Sequence, residues 1–355
     1  MTTYKQSGVN IDAGDRCSAL AYDAAKKTFV GRKNMFGKPV KLDGGFSGAL
    51  DFGNFYLVQN SDGVGSKIAV AQALGKFNTL GYDLLAMVAD DAVCLGAETI
   101  SITNTIDTEK VSVKVIKPLM EGLKRACLEQ KVVIAGGEIG EMPDLVKGTI
   151  WNADAVGIVE KKKLITGRDV RPGDKIISLC SPGFRANGFS LVRHILKNKL
   201  GEGWERKPYS VSKTWGEIIL MPSLIYSAAL LELLGRYGQK SICTIKALAH
   251  VTGGGIPGNI VRILGHFGAD LDELWPPDES MLKLQEYGKV KDEEAYRVWN
   301  MGTGMIMISN EFSKIAAIMK KHHIQAKIIG TVSKKPGVRL RSQGYFSKGK
   351  VLEFK

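Results

Sequence analysis

Residues 56–68 read YLVQNSDGVGSKI. The apolar start predicts a strand, and the segment then turns polar at Asp62, followed by Gly63, Gly65, Ser66 and Lys67. A carboxylate, bare backbone, a hydroxyl and an ammonium at one strand end suit the binding of phosphate groups. The glycine spacing is neither that of G-x-x-x-x-G-K-[ST] nor that of G-x-G-x-x-G. We therefore expect a phosphate-binding loop that follows other rules.

Strand-like and helix-like segments alternate around this loop. Four strands are predicted in the first half of the chain. The first two end in polar residues, and the third is a short apolar segment, predicted to be buried, that ends at paired glycines. The predicted strands are FYLVQNSD (55–62), TISITNTID (99–107), KVVIAGGE (131–138) and NADAVGIVE (152–160). The predicted helices between them are GYDLLAMVADDAVCLGA (81–97) and VSVKVIKPLMEGLKRACLEQ (111–130).

The hydrophobic pattern lapses in KKKLITGRDVRPGDK (161–175), where Pro172-Gly173-Asp174 predicts a turn. We place a domain boundary near residue 165, which gives domains 1–165 and 166–355. Strands and helices alternate again beyond it, so the fold class is α/β or α+β. The segments are KIISLCSPG (175–183), FSLVRHILKNKL (189–200), MPSLIYSAALLELLGRYG (221–238), HVTGGGIPGNIVRILG (250–265), GMIMISN (304–310), EFSKIAAIMKKH (311–322) and a final basic strand pair.

The composition excludes several classes of protein. Five scattered cysteines, with no C-x-x-C pair, disfavour a disulfide framework and a zinc site. The N-terminus has no apolar core of a signal peptide and no apolar run could span a bilayer, so we expect a cytoplasmic protein that does not contact membranes. The formal charge of +13 suits phosphorylated substrates. Because no stacking aromatics or nucleic-acid fold accompany this charge, a nucleic-acid partner is not expected.

The apolar helix LLAMVADDAVCLGA (84–97) carries two charges, Asp90 and Asp91. Buried carboxylates require a partner or a metal ion. One interpretation is a long-range salt bridge, to Arg125 or Arg193 for example. The other is Mg²⁺ bound by oxygen ligands, with Asp90 or Asp91 acting together with Asp62.

Other glycine-rich segments are candidate ligand loops. Glu138 directly follows Gly136 and Gly137 at a strand end, where ligands bind α/β sheets. KLDGGFSGAL (41–50) contains Gly44 and Gly45, and HVTGGGIPGNI begins a helix after His250 with Gly253, Gly254 and Gly255. RANGFSLVR places Asn187 and Gly188 at another helix start. Each is a turn when taken alone.

Eight segments in this order resemble the signature blocks of phosphoribosylformylglycinamidine cyclo-ligases, the AIR synthetase family of purine biosynthesis. The resemblance runs from residue 4 to about 310. The blocks are GVNIDAGD, GGFSGAL, SDGVGSK, DDAVCLGAE, GGEIGEMP, GFRANGFSLVR, HVTGGGIPGNI and WNMGTGMI.

The resemblance implies a homodimer of two-domain subunits whose N-terminal strands form a β-barrel at the interface, flanked by helices and the C-terminal α/β domains. It implies that ATP phosphorylates the formamide oxygen of formylglycinamidine ribonucleotide, after which the amidine nitrogen closes the imidazole ring. ATP and Mg²⁺ would be the cofactors.

The resemblance also implies roles for individual residues. Asp62, Asp91 and Glu138 would hold the metal, and Lys67, His250 and Asp91 would be catalytic. The predicted ATP and phosphate contacts are Asp62, Gly63, Gly65, Ser66, Gly136, Gly137 and Glu138. The predicted substrate contacts are Gly44, Gly45, Arg185, Asn187, Gly188, Gly253, Gly254 and Gly255.

Three of these blocks depart from the family pattern. The usual Asn-Asp pair is Asp90-Asp91, Ile139 replaces a hydroxyl residue, and Arg185-Ala186 stand where a His-Ser pair is usual. A guanidinium binds phosphate but cannot act as a base. Two alternatives therefore remain: a sister ATP-dependent activity of the same superfamily, such as a small-molecule kinase or an amide-activating enzyme, and a non-catalytic nucleotide-binding protein.

Overall fold

The structure is a computed structural model that describes residues 2–42 and 46–355, apart from the side chain of Asp12. The predictions for Gly44 and Gly45 lie outside the described residues. The described part of the first half of the chain contains α1 (Ile11–Thr28), β1 (Lys38–Pro39), β2 (Gly48–Asp51), β3 (Phe55–Gly63), α2 (Lys67–Leu74), α3 (Leu80–Val93), β4 (Glu98–Thr108), α4 (Val113–Gln130), β5 (Val133–Glu141) and β6 (Thr149–Glu160).

The second half alternates short strands and helices in the same way. Its elements are β7 (Lys175–Cys180), α5 (Phe189–Leu200), α6 (Trp215–Ile219), α7 (Ser227–Leu234), β8 (Ala247–His250), α8 (Gly255–Leu264), β9 (Gly268–Leu271), α9 (Glu279–Gly288), α10 (Asp292–Val298), β10 (Thr303–Ile308), α11 (Phe312–Lys321), β11 (Ala326–Ser333), β12 (Gly337–Arg341) and β13 (Val351–Phe354).

Each half of the chain builds its own mixed sheet. Within the described residues, the first has six strands in the order β1-β2-β3-β6-β4-β5, with β4 and β5 parallel. The second has seven, in the order β13-β12-β9-β11-β7-β10-β8, with β9 and β12 parallel. The predicted boundary near residue 165 lies between β6 and β7. The predicted α/β class is confirmed.

Helix α3 lies at the centre of the molecule, as its apolar sequence predicts. It contacts β3 and α4 in the first half, and α7 and β8 in the second. Glycines permit its close approach to α4: a Cβ added at Gly81 would lie 2.1 Å from the backbone nitrogen of Leu123. The carboxylates that α3 carries are therefore enclosed between the two halves of the chain.

Two predictions about elements are wrong. KVVIAGGE is an edge strand exposed along most of its length, because β5 pairs on one side only, with β4. The predicted helix 221–238 begins only at Ser227. The preceding residues form a loop whose backbone groups bond to buried charged side chains of other elements, including Lys67 and Asp83.

The first sheet has one covered and one open face. Inward-facing residues such as Trp151, Ala153 and Ala155 of β6 are 1% exposed. The opposite face carries apolar side chains that are half-buried or exposed, and we call it the open sheet face. It comprises Leu57, Val133, Ile150, Val156 and Ile158. No helix among the described residues is long and apolar enough to cross a membrane.

Candidate active site

Helix α3 directs its carboxylates in two directions. Asp83 and Asp90 are seven residues apart, which places them on one face of the helix, two turns from each other. Both accept hydrogen bonds from the loop that precedes α7 or from its first turn. Asp91 is directed instead toward His250. Sequence patterning singled out Asp90 and Asp91 but missed Asp83, because one carboxylate in the first turn of a helix is ordinary.

Asp83 forms a fully buried ion pair with Lys67. The Nζ atom of Lys67 lies 2.7 Å from Oδ1 of Asp83 and also donates to the carbonyl oxygens of Arg185 and Met221. An ammonium has three donors, and these contacts use all of them. The prediction that Lys67 acts at the phosphates remains untested. In this conformation the lysine instead ties α2 to α3 and to two loops of the second half.

Asp90 forms a second buried ion pair, with Arg185. Nη2 of Arg185 lies 2.8 Å from Oδ2 of Asp90, and both side chains are inaccessible to solvent. Oδ1 of Asp90 accepts the backbone N–H groups of Tyr226 and Ser227, each at 2.9 Å. The long-range salt bridge foreseen for this helix therefore exists, with Arg185 rather than Arg125 or Arg193 as the partner. Asp90 and Arg185, two of the residues that depart from the family pattern, thus neutralise each other.

His250 connects this pair to Asp91. Its Nε2 atom is 2.8 Å from Nη2 of Arg185, and its Nδ1 atom is 2.7 Å from Oδ1 of Asp91. Burial lowers the pKa of His250 to about 3, so the ring is neutral at physiological pH. With both nitrogens engaged, His250 orients Asp91. Its predicted catalytic role remains a prediction.

Asp62 lies on β3 and Asp91 on α3, close enough for the charge of Asp91 to act on Asp62. Burial raises the pKa of Asp62 to about 6, and the charge of Asp91 contributes to that rise. Burial likewise raises the pKa of Asp91 to about 7, against the opposing charges of Arg262 and Arg185. Because a cation bound between them would stabilise their ionised forms, these two carboxylates are candidate cation ligands.

The oxygen atoms at this place suit Mg²⁺. Asn60 lies two residues before Asp62 on the same face of β3, and its Oδ1 atom is buried without a hydrogen-bond partner among the described residues. Mg²⁺ is commonly held through one or two carboxylates together with substrate phosphates. Within residues 2–42 and 46–355, no three His, Cys, Asp or Glu side chains cluster as a metal site. Asn60, Asp62 and Asp91 are therefore the residues that could supply oxygen ligands here, and a bound cation would need further ligands, such as phosphate oxygens.

Glu138 does not join this pair within one chain. The strand register aligns Glu138 with Thr105, Thr105 with Asn152, and Asn152 with Gly63, so Glu138 is three strands away from β3. At a strand spacing of roughly 4.8 Å that separation is about 14 Å. Glu138 also shares the open sheet face with Asn152, whereas Asp62 is aligned with the buried Ala153.

Several predicted glycine contacts have a packing explanation. A Cβ at Gly63 would lie 2.2 Å from Oδ1 of Asn152, and one at Gly137 would lie 2.5 Å from the carbonyl oxygen of Asn104. Gly136 borders open space. Gly65 has a positive φ of 53° and faces the second half near Ala186. The hydroxyl of Ser66 is 3.3 Å from that of Ser190, which closes the loop against α5.

The glycines of the second half begin helices. A Cβ at Gly188 would lie 2.5 Å from Cδ1 of Trp299, and one at Gly255 would lie 1.9 Å from the carbonyl oxygen of Tyr296. Gly254 has a φ of 90°, and open space surrounds Gly253. Asn187 is half-buried, and its amide nitrogen lies 3.6 Å from the sulfur of Met87. Of this group, Gly253 leaves most room for a ligand.

Arg262 is a site residue that sequence reasoning missed. It lies on α8, its charge lowers the pKa of Asp91, and its guanidinium is 3.8 Å from the ring centroid of Phe46. Both residues line a cavity of about 210 Å³ between the two halves, and Arg168 lines it as well. The sequence offers no signal for Arg262, since an arginine in an amphipathic helix is ordinarily solvated.

The comparisons with known proteins agree with this architecture. A sequence model for the AIR synthase related protein N-terminal domain matches residues 45–159, and one for the C-terminal domain matches residues 171–343. Two such domains in tandem define the class of AIR synthase related proteins.

The curated relatives narrow the class. A phosphoribosylformylglycinamidine cyclo-ligase of Pyrococcus furiosus is 39% identical over 97% of this chain and 99% of its own length. One of Methanocaldococcus jannaschii is 35% identical over 94% of this chain and 92% of its own length. The chain belongs to the phosphoribosylformylglycinamidine cyclo-ligase family.

Solved structures share the fold at low sequence identity. The hydrogenase maturation protein HypE in complex with ATP superposes with a TM-score of 0.58 at 16% identity, covering 84% of this chain and 85% of that one. ThiL complexed with AMPPCP and TMP gives 0.59 at 15% identity, covering 93% and 95%. These likenesses show the fold alone.

Proposed function

We propose that this protein catalyses the ATP-dependent cyclisation of formylglycinamidine ribonucleotide to aminoimidazole ribonucleotide, with release of ADP and phosphate. The observation that carries the proposal is the Asp62–Asp91 pair, set between two domains that match the cyclo-ligase family over nearly their whole length. The γ-phosphoryl group is transferred to the formamide oxygen. The amidine nitrogen then attacks the carbon atom of the phosphorylated formamide. The formamide oxygen leaves as part of the released phosphate.

The side chains support a division of labour. Asp62, Asp91 and Asn60 are the proposed Mg²⁺ ligands, and the ion, when bound, offsets the negative charge of the transferred phosphoryl group. His250 holds one oxygen of Asp91 through a hydrogen bond at its Nδ1 atom, 2.7 Å away. Arg262 adds positive charge beside Asp91. The buried position of Arg185 argues against direct contact with substrate, contrary to the expectation from sequence, and it is 1% exposed.

We propose in addition that two copies associate through the open sheet face. Val133 is 62% exposed and Ile150 is 47% exposed, and neither belongs to the hydrophobic core of the described residues. A sheet that leaves apolar side chains uncovered is typical of an interface. The resemblance to the cyclo-ligases implies a dimer formed by these N-terminal strands.

The deciding experiment is ADP release with Mg·ATP in the presence and absence of formylglycinamidine ribonucleotide, with aminoimidazole ribonucleotide assayed in parallel. We expect one ADP for each imidazole product. ADP release without the imidazole would move the function to a sister activity of the same superfamily. Absence of any substrate-dependent ADP release would favour a nucleotide-binding protein without catalysis.

A further inference from the structure

Arg185 occupies an unusual place for an arginine. It is fully buried, its backbone lies in the left-handed region with a φ of 57°, and its Nε atom has no hydrogen-bond partner among the described residues. Left-handed backbone and an unpaired buried donor are both unfavourable in a residue with a Cβ. A residue held in this state against its local preference is held by its surroundings.

Four polar contacts fix the position of Arg185. Nη1 donates to the carbonyl oxygen of Leu224 at 2.7 Å, and Nη2 contacts both Oδ2 of Asp90 and Nε2 of His250 at 2.8 Å. Its own carbonyl oxygen accepts from Nζ of Lys67. Because Asp90 is itself fixed by two backbone N–H groups at the start of α7, the guanidinium has one orientation available.

The contact with His250 determines where the imidazole proton resides. A guanidinium carries donors and no acceptor, so Nε2 of His250 must accept from Arg185. An Nε2 atom that accepts a hydrogen bond carries no proton, so the one N–H group of the ring is on Nδ1. Nδ1 lies 2.7 Å from Oδ1 of Asp91, so His250 donates to that carboxylate. The hydrogen bonds thus run in one direction, from Arg185 to His250 to Asp91.

We infer that Arg185 is a positioning residue: anchored by Asp90, it fixes His250 as the Nδ1–H tautomer and thereby keeps one oxygen of Asp91 occupied by that proton. The consequence for the reaction rests on the proposed function, in which a ligand at Asp91 engages the other oxygen. Arg185 acts through two intervening groups and does not meet the substrate.

The test is the tautomer of His250 in the full-length protein without ligands. The ¹⁵N chemical shifts of the ring nitrogens, in protein labelled at its five histidines, distinguish protonated from unprotonated nitrogens. The signals of His250 are assigned by their loss in His250→Gln. We expect a protonated Nδ1 and an unprotonated Nε2 in the wild type. A wild-type ring protonated at Nε2 overturns the inference before any further variant is made.

Variants then test the cause. Arg185→Met removes the donors at similar length, and we expect the tautomer to shift toward Nε2–H, the form that imidazole prefers in water. Arg185→Lys keeps a donor and should retain part of the Nδ1–H form. Arg193→Met removes an exposed arginine of α5 and should change nothing. An unchanged tautomer in Arg185→Met refutes the assignment.

Two further measurements complete the test. If Arg185→Met does not fold because Asp90 is left unpaired, Asp90→Asn/Arg185→Met removes both charges, and the same shift of tautomer is expected. In the cyclisation assay, Arg185→Met should lower kcat at least 10-fold with KM for the amide substrate changed less than 2-fold. A large rise in KM with kcat retained would instead identify a substrate-binding arginine. The tautomer of His250 is measured without any substrate. The result of that measurement therefore does not depend on whether the proposed reaction is correct.

Discussion

Two regions of the molecule break the rule that apolar residues lie inside and charged residues outside, and they break it in opposite ways. Between the two halves of the chain, Lys67, Asp83, Asp90, Arg185 and His250 are buried with their charges or polar atoms paired. We call these five residues and Asp91 the interdomain charge network. On the open sheet face, apolar side chains such as Val133 are exposed.

The two regions differ in whether their side chains find partners within the same chain. Nearly every polar atom of the interdomain charge network has a partner from the same chain, since buried charges are tolerated only when they are paired. The open sheet face has no such partner among the described residues. The first region is therefore expected to serve chemistry and domain alignment, and the second to serve association.

The largest effect on activity is expected at Asp91, the residue of the interdomain charge network that lies at the proposed ligand site. Asp91→Asn removes a carboxylate from the proposed magnesium site and should lower kcat by about 100- to 1000-fold, as the loss of one electrostatic contact to a transition state does. The measurement is ADP release with Mg·ATP and the amide substrate. Asp169→Asn, at an exposed position, is the control. Full activity in Asp91→Asn would remove Asp91 from the site.

Substitution of Asp90, the buried partner of Arg185, should lower the free energy of unfolding. Asp90→Ala leaves the Arg185 guanidinium buried without its counter-charge, and breaking one side of a buried pair costs about 3–5 kcal/mol. Thermal or urea unfolding measures this loss. Asp90→Asn/Arg185→Met removes both charges and should be less destabilised than Asp90→Ala. Equal losses of unfolding free energy in Asp90→Ala and in the double variant would show that the two charges are not coupled.

The open sheet face is tested by a charge placed at its centre. Val156→Lys should weaken self-association at least 10-fold, because a lysine in an apolar interface must lose its hydration. Sedimentation velocity over a concentration series reports the oligomeric state. Val211→Lys alters a fully exposed valine away from the sheet and should leave association unchanged. A wild type that is monomeric at all concentrations contradicts the proposal.

The smallest expected effect is a pH dependence at Asp62. Its pKa is about 6 in the folded protein and about 4 when unfolded, so the folded state binds more protons between these values. Folding stability from this group is therefore greatest below pH 4 and is lost as the pH rises through 6.

Asparagine does not ionise, so Asp62→Asn should be more stable than the wild type by about 3 kcal/mol at pH 8, or roughly 6–12 °C in Tm, and by only about 1 kcal/mol at pH 4.5. Scanning calorimetry of ligand-free protein without Mg²⁺ measures both values. A gain of the same size at both pH values would mean that ionisation of Asp62 is not its cause.

The sequence by itself determined the alternation of strands and helices, the burial of α3 and the family to which the chain belongs. These follow from hydrophobic periodicity and from ordered motifs, which are properties of neighbours along the chain. The unusual pair of carboxylates in an apolar helix also marked the site from sequence, because buried charge is costly wherever it falls.

Only the tertiary structure decided which charges meet. Asp90 and Arg185 are 95 residues apart, and Asp91 and His250 are 159 apart, so their pairing depends on how the two halves pack. Adjacent residues of α3 thus have different surroundings: Asp90 pairs with an arginine, and Asp91 contacts His250 at the proposed ligand site. The exposure of β5 and the distance of Glu138 from Asp62 were likewise hidden, because a strand's sequence does not record whether it is an edge or which face is covered.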